Sequence, residues 1–171
     1  MKSVSKWFWV IASILAGLLI FTSAFSFLQR FNRMKIEERD LEQFDELKAM
    51  LNELCWDFPG TKREKSLSLG EEVIAIYASP DKYTQFEKQE FFRKIEDKEV
   101  SNGKFLCIKM EGRRLRCEEI ECEFSMPFLG ALPYQPSLRD VINKILSGGK
   151  TFTYFLSLEK KENGVEITIK G

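Results

Sequence analysis

The stretch WFWVIASILAGLLIF, Trp7–Phe21, decides how this chain is read. From Trp7 to Leu28 no side chain is charged, and the only polar ones are Ser13, Thr22, Ser23 and Ser26. A helix over these residues rises about 1.5 Å per residue and reaches roughly 33 Å, enough to cross a hydrocarbon core. Trp7 and Trp9 stand at one end, where amphipathic rings favour the headgroup level. A cleaved signal peptide is the competing reading: Lys2 and Lys6 precede the apolar run, and Thr22-Ser23-Ala24 offers small residues for cleavage after Ala24. The apolar run continues through Phe25, Phe27 and Leu28 beyond that site, and its length suits a retained span.

Working outward, the next stretch lacks breakers. No glycine or proline occurs between Gly17 and Pro59. Leu41, Phe44, Leu47, Leu51 and Leu54 recur at steps of three and four, which is helical spacing. Glu37, Glu38 and Asp40 face Arg33, Lys35 and Arg39 nearby, the pattern of a solvated helix face. The expectation is one helix from about residue 4 to about residue 57, roughly 80 Å long at about 1.5 Å per residue. Two helices with a kink near Gln29–Asn32 are the alternative.

Asp57-Phe58-Pro59-Gly60 ends that helix, because proline cannot continue it and glycine permits the turn. KSLSL (65–69) and EVIAIYA (72–78) then read as strands. A helix is expected from Ser79-Pro80-Asp81 with Tyr83, Glu87, Phe91 and Ile95 on one face. KFLCIKM (104–110) is apolar on both faces, as a central strand would be. It turns at Glu111-Gly112-Arg113 into RLRCEEIECEF, where Leu115 and Cys117 share one parity and Ile120, Cys122 and Phe124 the other. A one-residue bulge at Glu118 or Glu119 would bring all five to one face. Ser137-Leu138-Arg139-Asp140 opens an amphipathic helix ended by Gly148-Gly149. Asn163-Gly164 centres a hairpin that pairs Leu158 with Ile169 and Glu162 with Val165. Its apolar face holds Phe152, Tyr154, Leu156, Leu158, Val165, Ile167 and Ile169.

The predicted fold class is α+β: a long N-terminal transmembrane and stalk helix, then a mainly antiparallel sheet with one or two packed helices. The expected divisions are a transmembrane segment at 1–28, an amphipathic stalk at 29–57 and a head at 58–171.

Charge and cysteine narrow the function. Of 26 basic and 26 acidic residues, residues 1–35 hold Lys2, Lys6, Arg30, Arg33 and Lys35 and no acid, leaving the remainder net negative. An acidic head above a basic, apolar foot argues against a nucleic-acid partner. There is no histidine, so the commonest general base and metal ligand is missing. No metal site, cofactor or catalytic residue is predicted, and the chain is not read as an enzyme. The four cysteines, Cys55, Cys107, Cys117 and Cys122, are disulfide candidates. Cys107 and Cys117 lie symmetrically about Gly112, which would leave Cys55 for Cys122; the rival joins Cys117 to Cys122 and Cys55 to Cys107. A zinc site lacks a C-x₂-C spacing, and four free buried thiols are the plain alternative. Disulfides would place the head in an oxidising space and the N-terminus in the cytoplasm, making a single-pass cell-membrane protein. A membrane-tethered hydrolase built on Glu118, Glu119, Glu121 and Glu123 is the alternative, although successive strand residues face opposite ways.

The leader Lys2-Ser3-Val4-Ser5, the apolar helix, its amphipathic continuation and the β-rich head together resemble archaeal type IV pilin-like proteins. Such proteins begin Lys-Gly-Val-Ser or similar, and a dedicated peptidase cuts after the glycine or alanine. The resemblance implies processing after Ser3, which stands where the family has glycine or alanine. It covers about the first 55 residues. No acid matches the glutamate near the start of mature bacterial pilins, and no Asn-x-Ser/Thr acceptor occurs. Independently, Ala12 with Ala16 and Ser13 with Gly17 form two small-xxx-small pairs that permit close helix packing. The partners expected are therefore the membrane and, through the apolar helix, further copies of the chain or other pilin-like subunits.

Overall fold

The computed structural model describes residues 3–82, 88–130 and 151–170. It divides into two units, Met1–Ile36 and Glu37–Gly171. One long helix, α1 (Ser3–Trp56), contributes to both and is followed by six strands and a short helix. The strands are β1 (Lys62–Gly70), β2 (Val73–Ser79), β3 (Val100–Met110), β4 (Arg116–Pro127), β5 (Thr151–Lys161) and β6 (Gly164–Ile169), with α2 at Lys88–Glu96.

In the first unit the large apolar side chains from Trp7 to Leu28 are exposed all round the helix. Its hydroxyls bond their own backbone: Ser13 to the Trp9 carbonyl at 2.8 Å, Thr22 to Leu18 at 2.9 Å, Ser23 to Ile20 at 2.9 Å and Ser26 to Thr22 at 2.9 Å. A helix that satisfies its polar groups internally asks nothing of an apolar surrounding.

In the second unit the strand order is β1-β5-β6-β4-β3-β2. Neighbours are antiparallel except β4 and β6, which run parallel over the pairs Phe124–Val165 and Ser125–Glu166. The sheet is thus mixed, two antiparallel three-stranded halves joined at a short parallel seam. Phe44, Leu47, Leu51 and Leu54 of α1 are fully buried in one cluster with Leu67 and Leu69 of β1, Ile108 of β3 and Leu158 of β5. Burying each such side chain is worth roughly 2 kcal/mol. On the opposite face Phe91 and Ile95 of α2, with Phe128, cover Ala75, Tyr77 and Cys107. Tyr77, Phe91 and Phe128 pack together with ring centroids 4.7–5.5 Å apart, Tyr77 stacked on Phe128 and Phe91 edge-on to Phe128.

Several expected details change. Tyr83 and Glu87, and the helix predicted from Ser137, lie outside the described residues. In the final hairpin Leu158 faces Ile167 and Lys161 faces Gly164, so the two-residue loop is Glu162-Asn163 instead of Asn163-Gly164. The cause lies across the seam: a Cβ on Gly164 would stand 2.2 Å from the Glu123 carbonyl oxygen, so the glycine is used for close approach to β4. The shift is two residues, and Leu156, Leu158, Val165 and Ile167 keep the buried face.

The expected bulge is also corrected. Gly103 faces Phe124 and Phe105 faces Glu119, so Ile120–Glu123 together oppose the single residue Lys104. This irregularity does not bring the five residues to one face. Leu115 and Cys117 pack with the α2 cluster, while Ile120, Cys122 and Phe124 pack with α1. Strand β4 keeps its alternation, and β3 changes face at Gly103, where a Cβ would meet the Ser79 carbonyl oxygen at 2.0 Å.

Candidate functional site

The most developed polar arrangement in the head is the seat of α1 on the sheet. The apolar stripe Phe44, Leu47, Leu51, Leu54 is bordered on each side by a line of polar side chains, each matched to one strand.

On the β1 side, Asp40 accepts a hydrogen bond from the Gly70 N–H at 3.0 Å, and Gln43 accepts one from the Ser68 N–H at 2.6 Å. These N–H groups belong to the outer edge of β1, which ends the sheet. Further along, Lys65 pairs with Glu46, and Arg63 pairs with Glu53 and, at 3.1 Å, with Asp57. Helix side chains therefore close an edge that would otherwise offer unpaired backbone groups.

On the β4 side, Arg113 binds Glu37 at 2.7 Å, Arg116 binds Asp45 at 2.7 Å and Lys48 binds Glu118 at 3.1 Å. The Glu121 N–H donates to Asn52 at 3.1 Å, and Trp56 Nε1 donates to the Glu121 carboxylate. The Arg116 guanidinium also lies 5.4 Å from the Phe44 ring centre. Cys55 is bonded to Cys122, with Cα atoms 5.6 Å apart, at the end of this line. The second disulfide joins Cys107 to Cys117, directly opposite residues of β3 and β4 with Cα atoms 4.1 Å apart. The two bonds lie on opposite faces, one fixing helix to sheet and the other fixing strand to strand.

Asp40, whose neighbouring charges predict a solvated face, lies in the core instead. It is fully buried. Burial pushes its carboxyl above the ordinary range, against the lowering effect of the Gly70 N–H and Arg39. The signal was present in the spacing, since Asp40 precedes Phe44 by four residues and Leu47 by seven, on the apolar stripe itself. The capping roles of Gln43 and Asn52 had no such signal, because they depend on which strand edge lies alongside.

The four clustered glutamates separate. Glu118 turns toward α1, where hydrogen bonds from Arg116 and Lys48 hold its carboxyl below the usual range. Glu119 is exposed, Glu121 meets Trp56, and Glu123 lines a groove of about 260 Å³ at the parallel seam. Asn102, Ser125, Lys161 and Glu166 also line it, and Lys161 pairs with Glu166 at 3.4 Å and Glu159 at 3.0 Å. The groove gathers one of the four glutamates, so they form no joint acid–base pair there. Among the described residues no group of three His, Cys, Asp or Glu side chains is placed to hold a metal ion.

Ala12, Ser13, Ala16 and Gly17 all lie exposed on α1, and a Cβ on Gly17 would meet nothing within 4 Å. The Ser13 hydroxyl is already engaged by the Trp9 carbonyl. The helix is long and apolar enough to cross a membrane. No protein-family model, curated protein or solved structure matches the chain.

Proposed function

We propose that this chain is a single-span membrane protein that carries a disulfide-braced, acidic head outside the cell membrane, with its N-terminus in the cytoplasm. One observation carries the reading: α1 exposes every large apolar side chain from Trp7 to Leu28, yet fully buries Phe44, Leu47, Leu51 and Leu54. Apolar surface on that scale in the first half needs a solvent other than water. The two cysteine pairs support an oxidising compartment for the head. In this reading the role is non-catalytic, and the polar lines beside α1 hold the head to its anchor.

Within this reading the chain serves as a pilin-like assembly or accessory subunit that associates through Ala12, Ser13, Ala16 and Gly17. Small residues on adjoining helix faces and an internally satisfied Ser13 favour packing by close backbone contact. The test is intact-mass analysis of the protein from native membranes, with and without reduction. A mature terminus at Val4 together with the protein in sheared filaments supports the assembly role, and a full-length monomer in detergent refutes it. A terminus near Phe25 would make the chain a secreted domain and refute the anchor.

A further inference from the structure

Two groups of cations near α1 differ in their partners. Those facing the second half of α1 are neutralised: Arg63, Lys65, Arg113 and Arg116 each meet a carboxylate of the helix. Arg30 and Lys35, just beyond the apolar segment, are exposed and have no acidic partner among the described residues. Arg33 stands between them in sequence, and residues 1–35 contain no acid. Lys35 Nζ lies 4.8 Å from the centre of the Phe31 ring, and both Phe31 and Met34 are exposed. Apolar and cationic side chains therefore alternate over one and a half turns, directly where the uncharged run ends.

We propose that Arg30, Arg33 and Lys35 form a collar that binds the phosphates of anionic lipid headgroups, with Phe31 and Met34 dipping into the acyl boundary. This rests on the reading of Trp7–Leu28 as a span. Charge complementarity carries it: Arg30 and Lys35, exposed and without an acidic partner among the described residues, attract anionic lipid, and the attraction fades beyond a Debye length. The alternation also fits the depth, since long cationic side chains extend to the interface while their apolar neighbours stay below it.

The test uses the full chain in phosphatidylcholine vesicles carrying a trace of spin-labelled phosphatidylglycerol or spin-labelled phosphatidylcholine. The motionally restricted fraction of each label is read at low and high salt. The wild-type chain should restrict the phosphatidylglycerol label preferentially, and less so at high salt. The preference should fall by up to about fivefold per cation removed, and vanish in the triple variant Arg30→Gln/Arg33→Gln/Lys35→Gln. Persistence in that variant overturns the proposal. So does loss in Lys2→Gln/Lys6→Gln, which would place the lipid contact at the other end. Abolition by inorganic phosphate at matched ionic strength also overturns it, in favour of a free-phosphate site. Alkaline extraction of the vesicles separates the two layers of inference: a chain released by alkali has no span, whereas one retained without lipid preference has a span and no collar.

Discussion

Replacing Asp40 separates two physical effects at the joint between α1 and β1. Its side chain is fully buried, and one carboxyl oxygen accepts the Gly70 N–H at 3.0 Å. Asp40→Ala removes the acceptor and leaves a buried N–H unpaired, a loss of about 1–3 kcal/mol. Asp40→Asn keeps an oxygen for that N–H and removes the charge. Because burial raises the carboxyl pKa in the fold, the folded state favours the neutral acid. The corresponding stability is fully present below the unfolded value of 3.8 and is lost as pH rises through the higher folded value. Asp40→Asn mimics the neutral acid at every pH, so it should match the wild type in acid and equal or exceed it at neutral pH. Asp40→Ala should lie below Asp40→Asn throughout. The assay is denaturant unfolding of the full chain in detergent, followed by circular dichroism across pH. If Asp40→Ala and Asp40→Asn prove equally stable, the Gly70 bond contributes nothing. If Asp40→Asn is markedly weaker than wild type at neutral pH, the charged hydrogen bond outweighs desolvation and the argument fails.

Three further outcomes follow from the same geometry. The Cys55–Cys122 bond closes a loop of 67 residues and the Cys107–Cys117 bond one of 10; on chain entropy these contribute about 4 and about 2.7 kcal/mol. The double serine variant of the first pair should therefore unfold at the lower denaturant concentration, and the reverse order would count against an entropic tether. Gly164→Ala should destabilise by about 1–3 kcal/mol, because φ is 155° and the new Cβ would stand 2.2 Å from the Glu123 carbonyl oxygen. A thermal melt unchanged by that substitution would mean the β4–β6 seam relaxes freely. Ile14→Lys places a charge in the middle of the apolar run at about 2.5–3.5 kcal/mol against insertion, and should increase the alkali-extractable fraction of the protein in membranes.

The sequence carried faces more reliably than registers, and the final hairpin shows why. Alternation assigns Leu156, Leu158, Val165 and Ile167 to one side, and a slip of two residues leaves that assignment untouched. Only the neighbour across the seam selects between the two registers, through the closeness of Gly164 to Glu123. The same limit explains the misplaced bulge. Parity within RLRCEEIECEF demands a bulge only if all five residues share one core. Instead the sheet has apolar cover on both faces, α1 on one and α2 on the other, so Cys117 and Cys122 face apart by the ordinary alternation of β4. Short-range spacing did suffice for the symmetry of Cys107 and Cys117 about Gly112, since a hairpin's centre fixes its own pairs.

Helix α1 shows the difference between two kinds of apolar sequence. From Trp7 to Leu28 apolar residues occupy every direction around the axis, so no single packed surface of this chain could bury them. From Phe44 to Leu54 they occupy one stripe, and the sheet buries all of it. The polar groups follow the same division. In the first half, hydroxyls turn back onto carbonyls three or four residues earlier, which leaves the helix self-contained. In the second half, Asp40, Gln43 and Asn52 reach outward to strand N–H groups, and the helix becomes part of the sheet's own hydrogen bonding. A helix that needs only apolar contact can move within an apolar surrounding without breaking polar bonds. One that completes the edge of a sheet cannot leave it without exposing that edge. The Cys55–Cys122 bond sits in this second half, where departure would be most damaging.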